Sequence, residues 1–278
     1  MSDWLVICRD NDFRKDLGEY LARSIPGEWE QRDYPNHAAY QLTVSEPIGA
    51  WMLGQALAQY LVVYRAGAWL RLLLQRRYRL NDLAAEDFIV HRALDVLTKD
   101  PERVRDRLNW TSTVIFRHLQ KDSCVVVDGV QWFLLHDVRR EFEEALDEAF
   151  DAYLLDQEYQ AFVEVLRQLV REASQRVDWI HVHFQQDRFF FETSSGDRIG
   201  DALIQDIWDH AETAREDLGD VLVSALVTLA PHRVTIHRGN LESAGRDILL
   251  AVFGGSVLFC RGCSRCYRMR VDTDLQSF

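Results

Sequence analysis

The chain has 278 residues, enough for one large or two ordinary domains, with 47% hydrophobic residues and only 5 prolines, a composition that excludes a disordered or low-complexity protein. Its 44 acidic and 32 basic residues leave a net charge of −12, a field that repels a phosphate backbone and sets nucleic acid aside as a general partner. Met1 to Trp4 carries no basic stretch leading into an apolar core and cleavage site, so the expected location is the cytoplasm, where five cysteines argue against a disulfide framework.

Trp4 to Cys8 is a short apolar run followed by Asp10, Asn11 and Asp12 and then an amphipathic stretch. This predicts a strand, a capped turn and a helix. Tyr40 to Ser45 alternates as a second strand. From Pro47 the pattern turns helical, and Ile48 to Tyr64 holds no charged residue before continuing through Arg65 to Leu74. Length alone would let such a stretch cross a bilayer, which takes about 20 apolar residues. Gln55, Gln59, Arg65 and Arg71 interrupt it, and no sustained run of leucine, isoleucine or phenylalanine fills it. A helix buried within a helical bundle is therefore expected, with no membrane span.

Asn81 or Asp82 caps a helix running through Lys99, with Leu83, Phe88, Ile89 and Leu94 on its apolar face, and Asp100-Pro101 opens the next. Val125 to Gly129 is a brief apolar run ending in a turn. Val130 to Ala173 supplies one or two long helices, in which Phe142, Leu146, Ala149, Tyr153, Phe162, Leu166 and Leu169 recur at three or four residues. Glu141, Glu143, Glu144, Asp147, Glu148, Asp151 and Asp156 give this stretch an acidic face, read as solvated surface ahead of a docking face for a basic partner.

At Val177 the period changes to two. Trp179 to Phe184, a polar turn at Gln185 to Arg188, and Phe189 to Glu192 predict a hairpin, closed by Ser194 to Asp197. Helices follow through Trp208 and from Leu218 to Leu229, where Pro231 ends the second. Val234 to His237 reads as a strand, Leu241 to Phe253 as a helix and Val257 to Cys260 as a strand. One intervening helix makes these strands parallel neighbours, joined by a right-handed crossover. His237 then closes one strand and Cys260 the other, at the edge where open α/β sheets hold their ligands.

The sharpest chemistry lies in Cys260-Arg261-Gly262-Cys263-Ser264-Arg265-Cys266. Thiolates two residues apart can converge on one soft ion or one iron–sulfur cluster, and both want a fourth ligand. His237 is the candidate from the strand geometry, whereas Cys8 and Cys124 are remote in sequence. Zinc is favoured over an iron–sulfur cluster, because Tyr267 and Arg268 follow Cys266 where a ferredoxin run would carry further cysteine and proline. Two other readings stay open. One is a dithiol redox site, which asks for Cys-x-x-Cys at a helix N-terminus rather than after a strand; the other is three small apolar side chains at a strand end.

His181 and His183 share one face of the hairpin with Trp179 and have no adjacent carboxylate or cysteine in sequence, so they read as exposed residues of an outer face. His91, His118, His136 and His210 lie on predicted helices without partner spacing and read as structural. Gly254-Gly255-Ser256 lacks the lysine of a phosphate loop, and neither a His-Glu-x-x-His nor a Gly-x-Ser-x-Gly motif occurs. No catalytic residue is assigned.

The order of segments resembles the YtxC-like family of sporulation-associated proteins of endospore-forming bacteria. The resemblance rests on the helix around Ala56-Gln59-Tyr60-Leu61, the acidic helix leading to Tyr159-Phe162-Leu166, the Trp179 to Phe184 strand, Ser224 to Pro231, and the terminal cysteines, over roughly residues 50 to 270. It implies a role in sporulation and brings no catalytic residue with it.

The expected fold is α+β, with a strand-helix-strand element over residues 1–46, a helical region over 47–176, and a C-terminal α/β region over 177–278 holding the hairpin and the parallel pair. The expected function is a cytoplasmic sporulation-associated protein acting through a protein partner, with a structural metal at the cysteine cluster. The alternative is a metal-dependent or redox enzyme at the His237/Cys260 edge.

Overall fold

The computed structural model describes residues 2–9, 11–44, 48–80, 82–173, 177–185, 188–199, 218–237 and 241–267. The fold is α+β, with a helical centre, and the chain divides into two compact units, residues 1–155 and 156–278.

The first unit begins with β1 (Ser2–Cys8), α1 (Asn11–Ser24), β2 (Glu28–Tyr34) and β3 (His37–Val44). With β4 (Cys124–Val126) they form one sheet in the order β2-β3-β1-β4, in which β1 is antiparallel to β3 and parallel to β4. The expected strand at Tyr40 is β3. Sequence reading passes over β2, because Glu-Trp-Glu-Gln-Arg-Asp-Tyr is an edge strand exposed along nearly all its length and has no apolar face to alternate. The Pro35-Asn36 dipeptide between Tyr34 and His37 is the one local signal for its turn.

The uncharged stretch forms α2 (Ile48–Gln59) and a π-helical segment Tyr60–Tyr64, and its continuation forms α3 (Ala66–Tyr78). Leu53, Leu57, Tyr60, Leu61, Trp69, Leu70 and Leu74 are buried in the core of this unit. Among the described residues no helix is long and apolar enough to cross a membrane.

Asp82 caps α4 (Leu83–Thr98) by accepting from the Ala84 N–H at 2.9 Å. Asp100 does the same for α5 (Pro101–Leu119), whose proline stands where the first turn needs no donor; Asn81, the other expected cap, lies outside the described residues. After β4 come a helical turn α6 (Val127–Gly129), a second π-helical segment Val130–Leu134, and α7 (His136–Glu172), one unbroken helix where one or two were expected.

The acidic face of α7 is partly used internally. Glu141 forms a bidentate pair with Arg107, at 2.8 and 2.6 Å, and Arg107 also donates to the Leu97 carbonyl, so the buried guanidinium is compensated on both sides. Asp147 binds Arg77 at 2.7 Å and accepts from the Tyr78 hydroxyl. Glu148, Asp151 and Asp156 stay exposed.

In this unit α2 crosses α5 at close range at Gly54. A Cβ there would stand 3.2 Å from the Ser112 carbonyl oxygen and 3.3 Å from both Phe116 Cβ and Phe116 N. Gly54→Val is expected to destabilise the protein by about 1–3 kcal/mol through overpacking. Gly129→Ala, whose Cβ would meet only Val126 Cβ at 3.7 Å with φ at −65°, is expected to be neutral or stabilising by up to about 1 kcal/mol. Urea unfolding of the two variants beside wild type checks both signs.

The second unit is built on a sheet of β5 (Trp179–Gln185), β6 (Arg188–Glu192), β7 (Arg233–Ile236) and β8 (Val257–Phe259), in the order β6-β5-β7-β8. β5 and β6 make the expected hairpin, and β7 pairs with β8 in parallel as expected. Helices α8 (Leu218–Leu229) and α9 (Ser243–Phe253) share one core with Ile180, Val182, Phe191, Val234, Ile236 and Val257. The expected helix through Trp208, with His210, lies outside the described residues.

Candidate metal centre

Strand pairing positions the site. Val234 stands opposite Val257, Thr235 opposite Leu258 and Ile236 opposite Phe259. The ladder extends one step further, as the Cys260 N–H donates to the Ile236 carbonyl at 2.8 Å and the His237 N–H to the Val182 carbonyl at 2.9 Å. His237 and Cys260 thus leave the sheet side by side, at the shared edge expected of parallel strands.

Beyond Cys260 the backbone turns through Gly262, whose φ of +135° is costly for any residue with a side chain. The Gly262 N–H points back at Cys260 Sγ from 3.4 Å. A helical turn begins at Ser264, which brings Cys266 round beside Cys263. Cys260 Sγ and Cys263 Sγ each lie 3.8 Å from Cys266 Sγ, while His237 Nδ1 is 3.2 Å from Cys266 Sγ and 3.5 Å from Cys263 Sγ. All four donor atoms lie within 4.8 Å of one another, a set that could hold a metal ion. Cys8 and Cys124 belong to the sheet of the first unit.

The spacing bears on which metal fits. Zinc–sulfur bonds of about 2.3 Å at tetrahedral angles put neighbouring sulfurs about 3.8 Å apart, the separation of both Cys260 and Cys263 from Cys266. In a [4Fe–4S] cluster each thiolate sits on a different iron and they lie farther apart, whereas a [2Fe–2S] centre takes its thiolates in pairs, one pair to each iron.

Electrostatics prepare the donors unequally. Burial, reinforced by His183 and Arg265, pushes His237 down to about 4, so its imidazole is neutral and can ligate at neutral pH. Burial also raises the Cys260 thiol, helped by the neighbouring sulfurs. Cys263 is held below the ordinary thiol value by the backbone N–H groups of Cys266 and Arg265.

His181 and His183 correct the sequence reading. They are 8% and 3% exposed, not residues of an outer face. β5 is an interior strand with β7 beside it, so its histidines meet His237 across the sheet: His181 Nδ1 lies 3.0 Å from His237 Nε2, and the His183 ring stacks on His237 at 4.3 Å with planes 3° apart. Nor do they lack a carboxylate, since β6 brings Glu192 Oε2 to 3.2 Å from His183 Nε2, though off the axis of a hydrogen bond. Burial drives His183 down to about 4 and lowers His181. One signal in the sequence was available: Trp-Ile-His-Val-His in β5 and Val-Thr-Ile-His at the end of β7 carry their histidines in the same phase, so parallel pairing brings them together.

Arg265 is the other residue that sequence reading missed. It donates to the Thr193 carbonyl at 3.2 Å and the Ser194 carbonyl at 2.6 Å, and lies 3.6 Å from Glu192 Oε2. The cysteine loop is thereby fastened to the end of the hairpin.

The family match extends over residues 52–257. The chain belongs to the YtxC-like family. The matched stretch of this YtxC-like chain contains the helical centre, β5 to β7 and His237, and ends three residues before Cys260. No curated protein and no solved structure matches it.

Arg265→Ala removes two charge-assisted bonds and is expected to cost about 1–2 kcal/mol. Trypsin cleavage after Arg261 should quicken severalfold, read by limited proteolysis with mass spectrometry. An unchanged rate at Arg261 would show that the loop is held without the guanidinium.

Proposed function

We propose that His237, Cys260, Cys263 and Cys266 hold one structural zinc ion, and that this YtxC-like protein acts in the cytoplasm through protein partners, in sporulation, rather than as an enzyme. The observation that carries the zinc reading is the convergence of four protein donors within 4.8 Å of one another, with Cys260 and Cys263 each 3.8 Å from Cys266. Four protein ligands complete the coordination of a structural zinc, whereas a catalytic zinc keeps one position for water or substrate. Three thiolates and a dication leave a single negative charge, and Arg265 on the same loop offsets it. Sporulation is supported by the family, and action through partners by the lack of any catalytic motif in the sequence. The zinc would tie together β7, β8 and the loop, while the core under α8 and α9 buries its own apolar surface.

Zinc content and protease sensitivity of the C-terminal residues, wild type against Cys263→Ser, test this. The wild type, purified under reducing conditions, should carry about one zinc per chain, and the variant should lose it, since a neutral serine hydroxyl replaces a thiolate. Cleavage near Arg261 should rise in the variant while the helical core stays folded. Metal-free wild type with equal cleavage in both would defeat the zinc reading.

One observation favours the second reading, a thiol redox enzyme at this edge: Cys263 is exposed and stands at the start of a helical turn, the setting of reactive thiols. A Cys263–Cys266 disulfide in place of zinc, in protein purified without reductant, would support it.

A further inference from the structure

We propose that His181 is a positioning residue for this centre: it accepts a hydrogen bond from His237 Nε2–H and so fixes the tautomer in which the His237 Nδ1 lone pair faces the thiolates. The inference rests on the zinc reading above. A neutral imidazole carries one proton on one of two nitrogens, and only the unprotonated nitrogen can bind a metal. In His237 the nitrogen among the sulfurs is Nδ1, 3.2 Å from Cys266 Sγ and 3.5 Å from Cys263 Sγ. The proton must then sit on Nε2, and the group facing Nε2 at 3.0 Å is His181 Nδ1. His181 serves as acceptor when its own proton is on Nε2. The opposite arrangement would aim an N–H of His237 at the sulfurs and leave the ring unable to ligate.

The surroundings of His181 hold its ring for this role. The Trp179 indole lies over it at 5.3 Å with planes 23° apart, and the indole is itself anchored by donating from Nε1 to Thr235 Oγ1 at 2.9 Å. Thr235 stands directly opposite His181 in the β5–β7 ladder, and the indole it anchors is two residues before His181 on the same face of β5. On its other flank His237 is stacked against His183, which limits rotation of the ligand ring. Both histidines are buried, so water does not readily replace either partner. Outer partners of this kind orient metal-bound histidines and raise their basicity, and their loss costs about 10–100-fold in metal affinity.

The test uses the full chain, reduced, with zinc affinity measured by competition against a chromophoric chelator, and the His237 tautomer read from two-bond proton–nitrogen spectra of ¹⁵N-histidine-labelled, zinc-free protein. His181→Leu should bind zinc about 10–100-fold more weakly than wild type, with His237 passing from a single Nε2–H form to a mixture. His181→Asn, whose side-chain oxygen can stand near the position of Nδ1, should stay close to wild type in both. If His181→Leu does not fold, judged by thermal unfolding without zinc, His181→Gln replaces it, since its oxygen lies one bond farther out. Unchanged affinity in the leucine variant overturns the proposal, and so does weakened affinity with an unchanged tautomer, which would mark a packing effect. Wild type that takes no zinc defeats the zinc reading itself, and the tautomer in the metal-free protein then decides separately whether His181 governs His237.

Discussion

The in-register parallel pairing of β7 with β8 is the constraint on which the rest of the site depends. Side chains in a strand point alternately to opposite faces, so a slip of one residue would send Cys260 to the face opposite His237. The register is held by the apolar positions: Val234 and Ile236 on β7, with Val257 on β8, enter the core under α8 and α9. The histidine and the first cysteine take the other face together. Burial of aliphatic side chains on one side of the sheet thus fixes donor geometry on the other.

That second face is chemically unusual. Trp179, His181, His183, Glu192, Thr235 and His237 gather where an antiparallel hairpin joins a parallel pair, and several of them are buried. Polar groups out of water cost free energy unless they are partnered. Here the partners are one another, the cysteine loop and Arg265, which reaches two carbonyls at the hairpin's end. His183 Nε2, buried without a hydrogen bond, is the exception. A buried imidazole left so is paid for by the surrounding packing, including its stacking on His237 and Phe190.

Much of this was legible in the sequence because it rests on short-range patterns. Asp82 and Asp100-Pro101 announced their helices through capping chemistry, the hairpin announced itself by alternation, and one helix between two strands implied parallel pairing. The spacing of the three cysteines singled them out, and that topology placed His237 at the same edge. What was not legible depends on sheet order. That β5 lies between β6 and β7 follows from no local pattern, so His181 and His183 looked like residues facing water. Arg265 was one arginine among many, and its carbonyl partners lie more than seventy residues away. β2 escaped because an edge strand with both faces wet has no hydrophobic period.

The π-helical segment Tyr60–Tyr64 bears on the apolar stretch that is expected to be a buried bundle helix. The buried face runs through Leu53 and Leu57 of α2 to Leu61 of the π-helical segment, and an unbroken α-helix would carry it on through Tyr64 or Arg65. The wide turn adds one residue, so the buried face resumes at Ala66, Trp69, Leu70 and Leu73, while Tyr64 stands exposed. One residue turns a helix by about 100°. The side that α3 offers to the core is therefore set by how many residues precede it as much as by what they are. Along this stretch side chains can be exchanged for others of like volume, but the chain length between Leu61 and Ala66 behaves as a fixed phase.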